Sequence, residues 1–275
     1  PEHRDDAHEN RAEAQFVGLV GMVSHHMVAE LPRRDSIERH GSVVRLLHIL
    51  PAAIHDVAAS LLPEATHLLL PHSLGALNYD ALDVIGSELP RYQVLLAGPG
   101  LGRDPATREL LAGLLGGDNS AHRVIGFAPH KAPELRLALP PLILDADGLN
   151  LLADLPDWPS RLPPGTILTP HPGEMARLTG KKVGHINAAR LASAMEAAEA
   201  WRCTIVLKGA YTVVAGPTGE VWVSPFANAA LATAGTGDVL AGTIAGLRAQ
   251  GCSALEAAVC GVYLHGLAAS IWSER

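Results

Sequence analysis

The sequence predicts one α/β domain built on a largely parallel sheet. Three observations carry that prediction. From Ser42 onward, apolar runs of strand length alternate with helical patterns, without a repeat, a flexible linker or a shift in composition. Five polar or glycine-rich segments each follow one of those runs, and ligands of such sheets bind at the carboxyl ends of strands. Hydrophobic residues make up 48% of the 275 positions and aromatics only 4%. Ala, Leu, Val and Gly therefore fill the interior, which suits helices packed closely on a sheet.

The elements follow in order. Residues 16–23 form a short apolar run that suits a strand or a helix. Residues 43–50 read as a buried strand, 52–62 as a helix, and 66–70 and 93–97 as further strands. Asp104 has the chemistry of an N-cap, with Pro105 at the first helical position. Leu110, Leu111, Leu114 and Leu115 give that helix its apolar face. Strands at 141–144 and 166–168 come next. A helix then starts near Pro172 and stops before Gly180. Residues 185–201 read as one longer helix, with Leu191, Met195 and Ala198 on one face. A strand at 204–207 precedes a hairpin, 212–215 with 220–224, turning at Gly216-Pro-Thr-Gly219. Residues 239–249 are helical. Ser253 and Glu256 form a capping box for a last helix that ends near Trp272.

Composition excludes several classes. A net charge of −7 argues against a general nucleic-acid binder. No run of eighteen apolar residues points to a membrane span, and the charged start does not read as a signal peptide. Cys203, Cys252 and Cys260 are odd in number and lack metal-ligand spacing, so they read as reduced core thiols of a cytoplasmic protein. The 14 histidines form no His-Glu-x-x-His pattern. The pair His25-His26 suits a surface or core role better than a metal site, and no metal-ligand residues are assigned.

The five strand-end segments carry the chemistry. Gly235-Thr236-Gly237 can present bare N–H groups at a helix start, a cradle for a phosphate. Asp238 lies inside that positive cradle. It suits a base that takes a proton from an attacking hydroxyl, or a residue that only complements the helix dipole. Gly98-Pro-Gly-Leu-Gly102 lacks the last glycine of the dinucleotide fingerprint, since Arg103 stands there, and no Walker loop occurs. Gly100 and Gly102 still let backbone approach a ligand, or simply make a tight turn. Asp145 and Asp147 suit either a water-mediated magnesium site or a helix cap, and Asn150 either a phosphate contact or a turn. His171, fixed between two prolines, is a candidate ligand contact, and Glu174 is such a contact or a dipole partner. Lys208, followed by Gly209, Ala210, Tyr211 and Thr212, can reach a phosphate as a point charge or lie on the surface.

Taken together, these segments resemble the ADP/ATP-dependent NAD(P)H-hydrate dehydratases, a branch of the ribokinase-like superfamily. The matching runs are Gly98-Pro-Gly-Leu-Gly-Arg103, Leu144-Asp-Ala-Asp-Gly-Leu-Asn150, Leu168-Thr-Pro-His-Pro-Gly-Glu-Met-Ala-Arg-Leu178, Lys208-Gly-Ala-Tyr-Thr212 and Ala232-Thr-Ala-Gly-Thr-Gly-Asp-Val-Leu-Ala-Gly242. The resemblance implies a three-layer α/β/α fold over residues 41–275. It implies that Gly100, Gly102, Asn150, His171, Glu174 and Asp238 face hydrated NADH or NADPH, with Asp238 catalytic. It implies that Lys208 to Thr212 and Gly235 to Gly237 hold the nucleotide, ADP or ATP, with Mg2+ assisting. The ring hydroxyl is then phosphorylated and phosphate leaves. Assembly into a homo-oligomer is implied by the resemblance alone. Residues 1–40 depart from the pattern: no glycine pair is found there, so a diverged or incomplete, partly irregular segment is expected. A ribokinase-like small-molecule kinase and a nucleotide-binding protein without catalysis are the alternatives.

Overall fold

We describe residues 14–19, 44–116 and 137–274 of a computed structural model. The main sheet contains β1 (Ala14–Leu19), β2 (Val44–Pro51), β3 (Thr66–Leu70), β6 (Val94–Ala97), β7 (Leu142–Leu144), β8 (Ile167–Leu168), β9 (Thr204–Leu207), β10 (Val213–Ala215) and β11 (Val221–Val223). Their order is β11-β10-β9-β8-β7-β6-β1-β2-β3. All pairings from β3 to β9 are parallel, and β10 and β11 add an antiparallel edge. The order reverses between β1 and β6, which makes that junction the topological switch point of the sheet. The strand at 14–19 resolves the choice left open for the first apolar run. The rest of residues 1–40, including the expected irregular segment and His25-His26, lies outside the described residues.

Alternation along the strands builds two cores. Val94, Leu96, Ile143, Ile167, Val206 and Val214 point to one face, where α8 (Thr236–Ala249) and α9 (Ala254–Ser273) cover them. Leu95, Ala97, Leu142, Leu144, Leu168, Ile205, Leu207 and Val213 point to the other. That face is covered by α2 (Ala81–Glu88), α3 (Pro105–Leu114), α4 (Ala146–Ala153), α5 (Pro172–Thr179), α6 (Val183–Ala188) and α7 (Arg190–Trp201). The result is three layers with a mostly parallel centre. A short α1 (His55–Leu61) links β2 to β3, and β4 (His72–Ser73) and β5 (Ala76–Leu77) form a separate small hairpin.

Local chemistry explains most element ends. The Asp104 side chain accepts from the Ala106 N–H at 2.9 Å, with Pro105 at N1. Gly180 ends α5 in the left-handed region, at φ 69°. Ser253 and Glu256 exchange side-chain and backbone bonds at the start of α9. Among the described residues, α9 is the one helix long and apolar enough to cross a membrane, by length and composition alone. Here it packs along α8 and buries Ala257, Ala258, Gly261, Val262 and Ala269.

Two expectations need correction. Residues 185–201 are not one helix: the chain breaks at Ala189, between α6 and α7. The buried face of α7 is Ser193, Ala194, Ala197 and Ala198, while Leu191 and Met195 are exposed. Small side chains let the helix lie close to the sheet, so the larger ones point away. The cysteines also differ among themselves. Cys203 is buried, its thiol pushed up to about 12 by desolvation, whereas Cys252 is half-buried and Cys260 is exposed.

Candidate functional site

The site begins where β6 and β7 end side by side. Gly98 follows β6 at φ 131°, and a Cβ there would run into the Asp145 carbonyl. Only glycine permits this approach, which brings the loop 98–102 against the start of α4. Asp147, in the first turn of α4, then latches that loop. Its carboxylate accepts from the Gly102 N–H at 3.1 Å and from the Arg103 Nε at 3.0 Å. Gly100 and Gly102 are both left-handed, at φ 70° and 73°. The loop therefore sits at the switch point with its backbone in a conformation that favours glycine.

Asp145 is the centre of the arrangement. Its side chain does not cap α4. Instead Oδ1 accepts from Thr169 Oγ1 at 2.8 Å and meets Lys208 Nζ at 2.5 Å. The carboxylate is 1% exposed, and its second oxygen, Oδ2, has no hydrogen-bond partner among the described residues. Lys208 also lies 3.8 Å from Glu174 Oε2. Of the roles expected of Asp145 from sequence, the helix cap does not hold; the side chain anchors a lysine from two strands away. The lysine, read from sequence as a surface or phosphate-seeking charge, is already matched by two carboxylates. The site is therefore not the simple positive cradle that the sequence suggested.

His171 and Glu174 close the start of α5 together. His171 Nδ1 accepts from the Gly173 N–H at 2.9 Å and the Glu174 N–H at 3.3 Å. The Glu174 carboxylate accepts from the His171 N–H at 2.8 Å, completing a capping box. With Nδ1 accepting, the neutral imidazole carries its proton on Nε2, which lies 3.4 Å from Glu174 Oε1. Burial and then the Lys208 charge hold the His171 pKa below its usual value, which favours this neutral form. Glu174 is 5% exposed, and desolvation raises its pKa to about 6 against the pull of Lys208. Glu174 is thus more than a dipole partner: it is a costly buried acid, the kind that marks functional sites.

The start of α8 completes the ring. Gly235 is its N-cap at φ 88° and brings no capping side chain, so no side-chain oxygen of the cap competes for the first-turn N–H groups. Thr236 Oγ1 is turned back to the Leu231 and Thr233 carbonyls. A Cβ on Gly237 would stand 3.5 Å from Lys208 Nζ and 3.9 Å from Asp145 Oδ2. Asp238 lies in the first turn beside them, half-buried. His265 of α9 lies beside the backbone of Thr236, and desolvation there lowers its pKa.

The five segments thus meet at one place, and a chain of contacts through Asp145, Asp147, Thr169, Lys208 and Gly237 joins them. Some candidates stay at its edge. Asn150 is 5% exposed and donates to the Ala146 carbonyl at 3.1 Å, the local-bond alternative of its two expected roles. Thr212 donates to the Gly209 carbonyl, while Ala210 and Tyr211 are exposed, Tyr211 at φ 54°. Among the described residues, no group of three metal-ligating side chains converges. An apolar groove of about 530 Å³ lies elsewhere, between β11 and α9, lined by Trp222, Cys260, Tyr263 and Leu264 among others.

The sequence profile of a family described as NAD(P)H-hydrate dehydratase matches residues 46–275. A bifunctional NAD(P)H-hydrate repair enzyme of Moorella thermoacetica is 41% identical over 80% of this chain and 38% of its own length. The chain thus spans about two fifths of the length of such bifunctional relatives. An ADP-dependent (S)-NAD(P)H-hydrate dehydratase of Neisseria meningitidis is 46% identical over 49% of this chain and 46% of its own. Among solved structures, the ADP/ATP-dependent NAD(P)H-hydrate dehydratase of Bacillus subtilis, co-crystallized with ATP/Mg2+, superposes with a TM-score of 0.67. It is 28% identical, over 100% of this chain and 86% of that one. The fold is ribokinase-like.

Proposed function

The chain belongs to the NAD(P)H-hydrate dehydratase family, and from that premise we propose that it repairs hydrated NADH or NADPH at the expense of ADP or ATP. The observation that carries the proposal is the meeting of Lys208, Asp145 and Glu174, beyond the carboxyl ends of three strands, with Gly237 at the start of α8. Such a cluster offers backbone N–H groups, a lysine and two buried carboxylates within a few ångströms.

In this reading the nucleotide lies along Lys208 to Thr212 and Gly235 to Gly237. The hydrated dinucleotide lies against Gly100, Gly102, His171 and Glu174. Asn150 supports that wall from inside α4. Asp238 takes the proton of the ring hydroxyl as its oxygen bonds to the terminal phosphorus and the nucleotide leaves. The phosphate ester then departs as inorganic phosphate. The ring loses a proton, and the double bond of NAD(P)H is restored. Mg2+ fits this site, because Asp145 Oδ2 is a buried carboxylate oxygen without a hydrogen-bond partner among the described residues. Magnesium is commonly held by one or two carboxylates plus phosphates and water. Asp145 would hold it, and the ion would neutralise charge on the phosphates.

In this proposal residues 41–275 carry the named site residues, and β1, within the diverged front of residues 1–40, pairs into the same sheet. The same reading places the protein in the cytoplasm, without nucleic-acid or membrane partners, and assembled as a homo-oligomer. The test is incubation with hydrated NADH plus ADP or ATP. Recovery of NADH absorbance supports the proposal; no recovery with either nucleotide refutes it.

A further inference from the structure

We infer that Arg190, rather than Lys208, supplies the uncompensated positive charge that recognises the phosphates of the adenine nucleotide. The inference rests on the nucleotide lying at residues 208–212. Lys208 already faces Asp145 at 2.5 Å and Glu174 at 3.8 Å, so an incoming phosphate meets a lysine whose charge is taken.

Arg190 is placed differently. It is the first residue of α7, which starts at the carboxyl end of the sheet and leads down into β9. Its Nη2 donates to the Leu207 carbonyl at 2.9 Å, the residue just before Lys208. Its guanidinium occupies the space where a side chain at position 209 would be. Gly209, at φ 142°, leaves that space open, and a Cβ there would collide with Nη1. The guanidinium thus lies directly behind the loop that runs from Lys208 to Thr212.

The structural role visible for this cation is a single tie from α7 to β9. Among the described residues no carboxylate pairs with it, and Leu207 O is its one hydrogen-bond partner. A guanidinium has five N–H donors, so most of its capacity is unspent. Its position in the first turn of a helix sets it against the dipole. Burial alone lowers its pKa, with no neighbouring charge contributing. A half-buried, unpaired guanidinium beside a bare glycine loop suits one class of ligand. Its planar fork matches two phosphate oxygens, as the compact ammonium of Lys208 does not.

The experiment titrates the full chain with ADP and, separately, with adenosine, by calorimetry. For Arg190→Gln, ADP affinity is expected to fall about 10- to 100-fold, the worth of a charge-assisted hydrogen bond or two. Adenosine affinity is expected to stay unchanged. Arg190→Lys keeps charge and stem while losing the fork, and is expected to bind ADP between wild type and Arg190→Gln. It serves as the test if the Gln variant does not fold. Unchanged ADP affinity, or equal losses for ADP and adenosine, overturns the inference and leaves Arg190 a tie between α7 and β9. Failure of the wild-type chain to bind ADP at all overturns the nucleotide site itself, and Arg190's role with it.

Discussion

Replacing Glu174 by Gln is expected to stabilise the protein in alkaline solution and to leave it unchanged in acid. The carboxyl group is 5% exposed, and desolvation raises its pKa from 4.5 to about 6. A folded-state pKa above the unfolded value means the protonated group favours folding. That contribution is fully present below about pH 4.5 and is lost as the pH rises through about 6. At 1.36 kcal/mol per pKa unit, the loss amounts to about 2 kcal/mol. Gln keeps the oxygen that accepts from the His171 N–H at 2.8 Å and never ionises. The variant should therefore match wild type near pH 4 and exceed it by about 2 kcal/mol near pH 8. Urea unfolding of both proteins, free of ligand, across that range isolates the effect, because the other titrating groups are common to both. A stability gap that does not change with pH would refute the reasoning. So would a variant less stable than wild type near pH 8, since the ionised carboxylate would then be contributing to stability.

Two further outcomes are expected. Asp238→Asn should lose turnover of hydrated NADH by ~10²–10⁴-fold, the usual worth of a general base, with nucleotide affinity unchanged or tighter. Steady-state kinetics with parallel titration decides it, and near-normal turnover would leave the residue a helix-dipole partner only. Lys208→Met should cost about 3 kcal/mol of stability, because it strands the buried Asp145 carboxylate. The double variant with Asp145→Asn should recover part of that loss, and strictly additive losses in the cycle would show the pair to be uncoupled.

Most of the architecture was legible because its signals are local. The caps at Asp104 and Ser253, the stop at Gly180 and the turn between β10 and β11 are each written within a few residues. The order of polar segments along the chain was enough to bring them to one end of the sheet. What escaped was whatever depends on distance along the chain or on small side chains. Leu191 and Met195 look like the face of a buried helix, yet an alanine-rich side packs closer to the sheet and wins. The Asp145–Lys208 pair joins positions far apart in sequence, and its consequence, a lysine with its charge already matched, has no local trace. Arg190 reaches Gly209 only because α7 packs beside β9. The hairpin of β4 and β5 turns through Leu74 at φ 51° and Gly75 at φ 91°, and the leucine at that corner hid it.

The strand order also bears on how the chain acquires its shape during synthesis. From β6 to β11 every strand lies beside its immediate successor, and the same is true from β1 to β3. Each run can zip up as it emerges, at little cost in loop closure. The ladder between β1 and β6 is different, setting Phe16 beside Val94 across the intervening strands and helices. It is the seam between two locally assembled halves, and it waits for both. The same seam is the switch point beneath Gly98 to Gly102, where the dinucleotide is proposed to lie. A ligand bound across that seam would favour the closed sheet over the two separated halves by mass action.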